Sequence, residues 1–296
     1  MSEQAEAEYA LGYSDGELQR LIRQSEFYAD FTEDVLRRAG LRCGMRVLDA
    51  GCGAGDVSLL AARLVGPTGC VTGVDRSPKS VALAQRRAEA QGLSNVCFMV
   101  GDLANLILSD SFDALIGRFV LTFLTDPTAV LNKLVRHVRA GGIIAFQEMD
   151  IGAAARSTPS DLPLWQQCGQ WISMAFRQAG VDVQMGPKLF AMFRRAGLPS
   201  PQMNLHARIG GGNSAHPEYI TSIVSSLLPM IERHGVAVAA DIGIDTLTAR
   251  LREELICCNG VSILPSIIGA WTQAPIQVPQ GAPDRASGDA SHYPAR

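Results

Sequence analysis

Apolar positions recur along the chain in two alternating periods, and the switches between them predict most of its elements. Between residues 14 and 38, Leu18, Leu21, Ile22, Ser25, Ala29 and Thr32 recur at helical spacing, and Ser14 with Glu17 forms a capping-box pattern. Gly40 and the turn Leu41-Arg42-Cys43-Gly44 stop that helix. Met45 to Asp49 then reads as a strand, followed by a glycine loop and a helix through Leu64. Val71 to Val74 is a second strand ending at Asp75, and Ser77-Pro78 opens a helix over Lys79 to Gln91 that Gly92 closes. Val96 to Val100 ends at Gly101-Asp102, Phe112 to Ile116 is a fourth strand, and Leu131 to Val138 is helical. Gly141-Gly142 turns into a fifth strand, Ile143 to Gln147. Strands alternating with helices at this rhythm predict a parallel sheet covered on both faces.

After Asp150 the alternation breaks. Residues 164 to 180 form an amphipathic helix, with Leu164, Cys168, Trp171 and Ala175 on one stripe, which places Trp171 in a core. Lys188 to Ala196 is another helix, and Met203 to Ile209 is a strand with Asn204, His206 and Arg208 on one side. His216 to His234 and Ile244 to Cys257 are helical, and Ser266 to Trp271 is a last strand. The predicted organisation is an N-terminal helical cap over 1–40, an α/β core over 41–150, and the remaining strands with a helical lid over 151–272. A Pro-, Gly-, Ala- and Ser-rich tail over 273–296 is expected to be disordered.

Composition narrows the function classes. A hydrophobic fraction of 47% with 19% charged residues fits a chain with a substantial core. A formal net charge of −3 and the lack of any Lys/Arg-rich run argue against a nucleic-acid partner. The seven cysteines are irregularly spaced and include no CxxC pair, which points to reduced thiols in a cytoplasm rather than a disulfide framework or zinc site. An acidic N-terminus and short apolar stretches predict neither signal sequence nor membrane span. Five scattered histidines suggest no metal set. The expected state is a monomer or homodimer.

The chemistry gathers at strand ends. A glycine turn between a first strand and its helix lets backbone approach a ligand closely. Here that turn is Asp49-Ala50-Gly51-Cys52-Gly53-Ala54-Gly55, with Asp75 and Asp102 ending the next two strands. A strand-end carboxylate can accept both hydroxyls of a ribose, so the set points to an adenosine-containing ligand. Asp56-Val57 follows the loop where a P-loop needs Lys-Ser/Thr, which argues against ATP. An acid leading the loop repels a pyrophosphate but suits a ligand with an ammonium and a sulfonium.

Val47-Leu48-Asp49-Ala50-Gly51-Cys52-Gly53-Ala54-Gly55 resembles motif I of class I S-adenosylmethionine-dependent methyltransferases, and Gly73-Val74-Asp75 resembles motif II. Val100-Gly101-Asp102-Leu103 is similar to the adenine-contacting motif, and Phe112 to Ile116 and Val138 to Ile144 to the fourth strand and the approach to the fifth. The likeness is nearest the UbiE-like, type 11 group and covers about residues 45 to 150. It implies a Rossmann-like fold with a mostly parallel seven-stranded sheet, the last strand antiparallel, and S-adenosylmethionine as cofactor. It further implies that Gly51 and Gly53 line the methionine moiety, Asp75 the ribose, and Asp102 with Leu103 the adenine. Gly117 and Arg118 would flank the methionine end and the donated methyl. Asp49, Gly55 and Arg76 complete the expected cofactor set.

The acceptor is expected beneath segments outside the core sheet, where Tyr13, Tyr28 and Trp165 are candidate binding residues. An apolar cavity with few polar groups suits a small, largely apolar or aromatic metabolite of secondary metabolism, methylated on carbon or oxygen. Glu148, in the Gln147-Glu148-Met149-Asp150 stretch that ends the fifth strand, is the first candidate for acceptor binding or base, and His206 the second. The alternatives are a methyltransferase of RNA or protein and a cofactor-binding module without transfer. Gly117-Arg118-Phe119-Val120 stands where an amino-methylating Asn-Pro-Pro-Tyr signature would follow the fourth strand.

Overall fold

A computed structural model describes residues 15–109, 111–152 and 161–275, with side chains from residue 27 onward. Tyr13, the Ser14–Glu17 capping box and most of the expected tail therefore lie outside what is described.

The chain opens on α1 (Asp15–Arg38) and then alternates: β1 (Arg46–Ala50), α2 (Asp56–Val65), β2 (Cys70–Asp75), α3 (Pro78–Ala90), β3 (Val96–Val100) and β4 (Phe112–Arg118). A 3-10 turn (Leu121–Phe123), α4 (Pro127–Val135) and β5 (Val138–Asp150) follow. Ser77 Oγ accepts from Ser80 N ahead of α3, as the Ser77-Pro78 start suggests, and Asp126 Oδ1 accepts from Ala129 N ahead of α4, a cap the sequence reading did not name. The second half holds α5 (Pro163–Gln178), α6 (Met185–Arg195), β6 (Gln202–His206), β7 (Ile209–Gly210) and α7 (His216–Arg233). It ends with α8 (Ala239–Ile242), α9 (Ile244–Cys257), β8 (Ser262–Ile263) and β9 (Ser266–Gln273).

Seven strands form one sheet in the order β3-β2-β1-β4-β5-β9-β6. β1 to β5 pair in parallel, while β9 inserts antiparallel between β5 and β6. This is the Rossmann-like class I fold. The apolar runs of β1 and β4 are buried because helices cover both faces: α2 and the end of α1 pack Val35, Leu59 and Leu60 on one side, α4 and α6 pack Leu131, Leu189 and Phe193 on the other. A third cluster, with Trp171, Val224 and Leu251, forms the core of the helical cover.

Several boundaries shift from the sequence reading, and two of the shifts change the strand pairing. β5 starts at Val138, before the glycine pair, because Val138 already pairs with Phe112 across an irregularity in the register. The expected strand Met203–Ile209 divides after His206, and Ile209-Gly210 leaves the main sheet to pair with β8. Among the described residues no helix is long and apolar enough to cross a membrane.

Candidate active site

The chain leaves β1 toward β2 and β3, then returns to β4 on the other side of β1. Connections part at that point, opening a crevice at the carboxyl ends of the strands where open α/β sheets take ligands. A cavity of about 250 Å³ lies there, running from the loop after β1 to the underside of α5 and α7.

Its floor is the glycine loop. Gly51 and Gly53 hold φ of +68° and +52°, conformations that disfavour a side chain. A Cβ at Gly51 would stand 2.3 Å from Val120 Cγ2, whereas one at Gly53 would meet nothing within 4 Å. Backbone at Gly53 thus opens directly onto the cavity it lines. Gly55 lies outside the lining and serves packing, since a Cβ there would come within 2.9 Å of Ala84 Cβ.

Asp75 ties this loop to β2: its Oδ2 accepts from Gly53 N and its Oδ1 from Ser77 N, both at 2.9 Å. Burial raises its carboxyl above the ordinary range, opposed by those two amides. Each oxygen retains a lone pair for a ligand hydroxyl. Asp102 and Leu103 also line the cavity, with Asp102 Oδ1 accepting from Ala104 N at 3.0 Å and Oδ2 from Asn105 Nδ2 at 2.7 Å. Arg76 lines it beside Asp75. Asp49 stays beneath the loop, 1% exposed, and accepts from Ser58 Oγ at 2.5 Å. Burial pushes its carboxyl up to about 7 against that bond. Gly117 is likewise a packing position, because a Cβ there would lie 2.6 Å from Phe146 Cε1.

The turn after β4 supplies the centre of the cavity. Phe119 adopts φ +56°, a strained choice for an aromatic residue, of order 1–3 kcal/mol. Its N–H donates to Gln147 O at 2.9 Å. The N–H groups of the next two residues, Val120 and Leu121, converge on Glu148 Oε1 at 3.0 and 2.7 Å. Glu148 is fully buried and lines the cavity, and among the described residues its Oε2 has no hydrogen-bond partner. Burial pushes its carboxyl up to about 8, against the bonds from Leu121 and Val120. Arg118 enters from the same turn, donating from Nη1 to Thr32 Oγ1 at 2.8 Å with its guanidinium 5.4 Å from the Phe119 ring centroid.

The far half of the cavity is apolar. Ile172, Phe176, Tyr219, Ile220 and Ile223 face it from the helical cover, with Met149 from the end of β5. Tyr28 stands one layer back, fully buried and edge-on to Tyr219 at 5.8 Å between ring centroids. Burial, then the neighbouring Tyr219, raises its phenol. Trp165 is placed elsewhere: its indole N–H donates to Leu251 O at 3.2 Å inside the cover. His206 is also outside the cavity, on β6, stacked on Phe31 at 4.6 Å with Nε2 3.3 Å from Asp34. That side of β6 grips α1, since Asn204 Nδ2 donates to Asp34 and Arg208 Nε to Phe27 O. The sequence reading missed Phe119, Val120 and Tyr219. For Tyr219 the signal was available, on the apolar stripe with Ile220, Val224 and Leu227; the positive φ of Phe119 leaves no trace in composition or period.

Comparisons with known proteins agree with this geometry. Residues 41–191 match the family described as a methyltransferase domain. The aklanonic acid methyltransferase DauC of Streptomyces sp. (strain C5) is 38% identical over 104 residues, 35% of this chain and 47% of that protein. A demethylmenaquinone methyltransferase of Geobacillus kaustophilus is 36% identical over 117 residues, 39% of this chain and 50% of the relative. The chain thus spans about half the length of these curated relatives. Among solved structures, YcgJ of Bacillus subtilis superposes with a TM-score of 0.53 at 18% identity, covering 83% of this chain and 99% of that one. A phosphoethanolamine N-methyltransferase of Haemonchus contortus, in complex with S-adenosylhomocysteine, gives 0.51 at 17% identity over 83% and 52%. These two likenesses concern the fold. With the family match extending over more than half its length, the chain belongs to the methyltransferase domain family, the class I S-adenosylmethionine-dependent methyltransferases.

Proposed function

We propose that this protein transfers a methyl group from S-adenosylmethionine to a small, largely apolar or aromatic acceptor of secondary metabolism, on oxygen or carbon. The observation that carries the proposal is the single cavity joining an open glycine backbone to an apolar chamber. The residues fit the cofactor: Gly53 leaves room where a Cβ would intrude, and Asp75 keeps a lone pair on each oxygen after holding the loop. Gly51 and Gly53 would hold the methionine moiety, Asp75 and Arg76 the ribose side, and Asp102 with Leu103 the adenine. When bound, the cofactor supplies an electrophilic methyl on a sulfonium.

The chain's own residues then do two things. Ile172, Phe176, Ile220 and Ile223 shape a dry chamber that orients a flat acceptor, and alignment supplies much of the acceleration in a displacement. Glu148 Oε2 is the group able to take the acceptor's proton, because Oε1 is committed to Val120 and Leu121 while Oε2 has no partner among the described residues. A carboxyl poised near neutrality suits that exchange. His206 and Trp165, set outside the cavity, have no part in this scheme.

The test is to incubate the protein with tritium-labelled methyl donor and a panel of hydroxylated quinones and aromatic polyketides. Labelled product is expected from at least one acceptor. Binding of cofactor with no label transferred to any acceptor would favour a binding module instead.

A further inference from the structure

Among the described residues, α5 and α7 turn Ile172, Phe176, Tyr219, Ile220 and Ile223 toward the cavity, and of these Tyr219 alone carries a polar side-chain atom. Its ring is held from α1. Phe27 stacks on it at 4.8 Å with 6° between the planes, Tyr28 meets it edge-on at 5.8 Å, and Arg208 lies over the Phe27 ring at 5.0 Å. A side chain clamped in this way costs little further ordering when a ligand arrives. The Arg118 guanidinium faces the Tyr219 phenol, and a nearby cation strengthens a phenol as a hydrogen-bond donor. Other polar groups in this half are differently disposed: Thr122 donates its proton to Asp182 O at 2.7 Å, and Glu148 rises from the end of β5, across from the helical cover. In a chamber otherwise walled by hydrocarbon, a ligand oxygen that meets no partner loses affinity. Two polar points on facing walls therefore select a molecule with two oxygens.

We propose that Tyr219 is a specificity-determining residue of the acceptor site, its hydroxyl donating to a carbonyl oxygen on an aromatic acceptor whose own hydroxyl lies at Glu148. The inference rests on the methyltransferase reading above and narrows its acceptor to a hydroxylated aromatic ketone or quinone. A ketone oxygen only accepts, and Tyr219 is the donor that the cover offers it; a hydroxyl has a proton for the Glu148 carboxylate to take.

Calorimetry on the full chain tests this with two probes that differ in one group: a naphthol bearing an acetyl substituent at the far end of its second ring, and the same naphthol bearing ethyl there. Wild type and Tyr219→Phe, both saturated with S-adenosylhomocysteine, are titrated with each. The variant keeps the ring that stacks on Phe27 and loses only the hydroxyl. It should lose about tenfold for the acetyl probe and less than about twofold for the ethyl probe. Equal losses on both probes, or none on either, overturn the assignment. If Tyr219→Phe does not melt cooperatively, the wild type decides alone. Acetyl is the more polar substituent, so tighter binding of the acetyl probe requires a donor in the chamber, whereas an ethyl probe that binds as well or better overturns the proposal. Binding of S-adenosylhomocysteine with neither naphthol bound overturns the proposal and leaves the cofactor reading standing. Failure of the wild type to bind S-adenosylhomocysteine overturns that reading, and the role of Tyr219 with it.

Discussion

Replacing Glu148 with Gln tests the placement of that carboxyl through stability rather than activity. Its Oε1 accepts from Val120 and Leu121, and an amide oxygen preserves both bonds. Its Oε2 has no partner among the described residues, so an amide nitrogen there stands in for the hydroxyl of the protonated acid. The folded protein holds this carboxyl at about 8, raised by burial from the ordinary glutamate range. The folded state therefore binds more protons than the unfolded state between those limits, and stability falls as pH rises through the window, by about 1.4 kcal/mol per unit. Asp49, raised to about 7 by burial, adds a slope of the same sign but is common to both proteins and cancels in the difference. Between pH 5 and pH 8, Glu148→Gln should gain about 3.5 kcal/mol on wild type. Near pH 5 the two should agree within about 1 kcal/mol. Urea unfolding at several pH values reads the difference directly. A gap that does not change with pH, or a variant less stable than wild type at pH 8, would refute the burial argument. Glu148→Ala makes the control, since it strands two buried N–H groups at about 1–3 kcal/mol each at any pH.

Gly53→Ala should separate binding from folding. Its φ costs about 1 kcal/mol, with no atom in the way of the new methyl, yet that methyl enters the cavity. Affinity for S-adenosylhomocysteine should fall at least about tenfold with only a small loss of melting temperature, and a large stability loss with unchanged affinity would count against the floor assignment. Trp165→Phe should do the reverse: losing the bond to Leu251 O costs about 1 kcal/mol of stability, with cofactor affinity and acceptor KM untouched. A changed KM would return Trp165 to the acceptor site.

The cofactor half was legible because its signals are local. A strand-loop-helix unit writes its glycines and strand-end acids into a few consecutive residues, and Gly53, Asp75 and Asp102 all line the cavity. Asp49, Gly55 and Gly117 come from the same motifs but sit beneath it, because the side of a turn that faces the ligand is settled by packing against Ser58, Ala84 and Phe146. The acceptor half was far less legible. Trp165 and Tyr219 both lie on amphipathic helices with similar patterns, and only the crossing of α5, α7 and α9 decides which ring meets the cavity. His206 illustrates the same limit: strand alternation put it with Asn204 and Arg208, but what that face meets is α1, a long-range pairing no local pattern carries. The insertion of β9 between β5 and β6 is likewise a matter of topology.

The most direct test is calorimetry of the wild type and Asp75→Ala with S-adenosylmethionine, S-adenosylhomocysteine and NAD. The wild type should bind both sulfur nucleosides and ignore NAD. Asp75→Ala, which frees the Gly53 amide and removes the ribose acceptor, should abolish that binding. Binding of NAD without the sulfonium ligand, or undiminished affinity in Asp75→Ala, would contradict the assignment of this cavity.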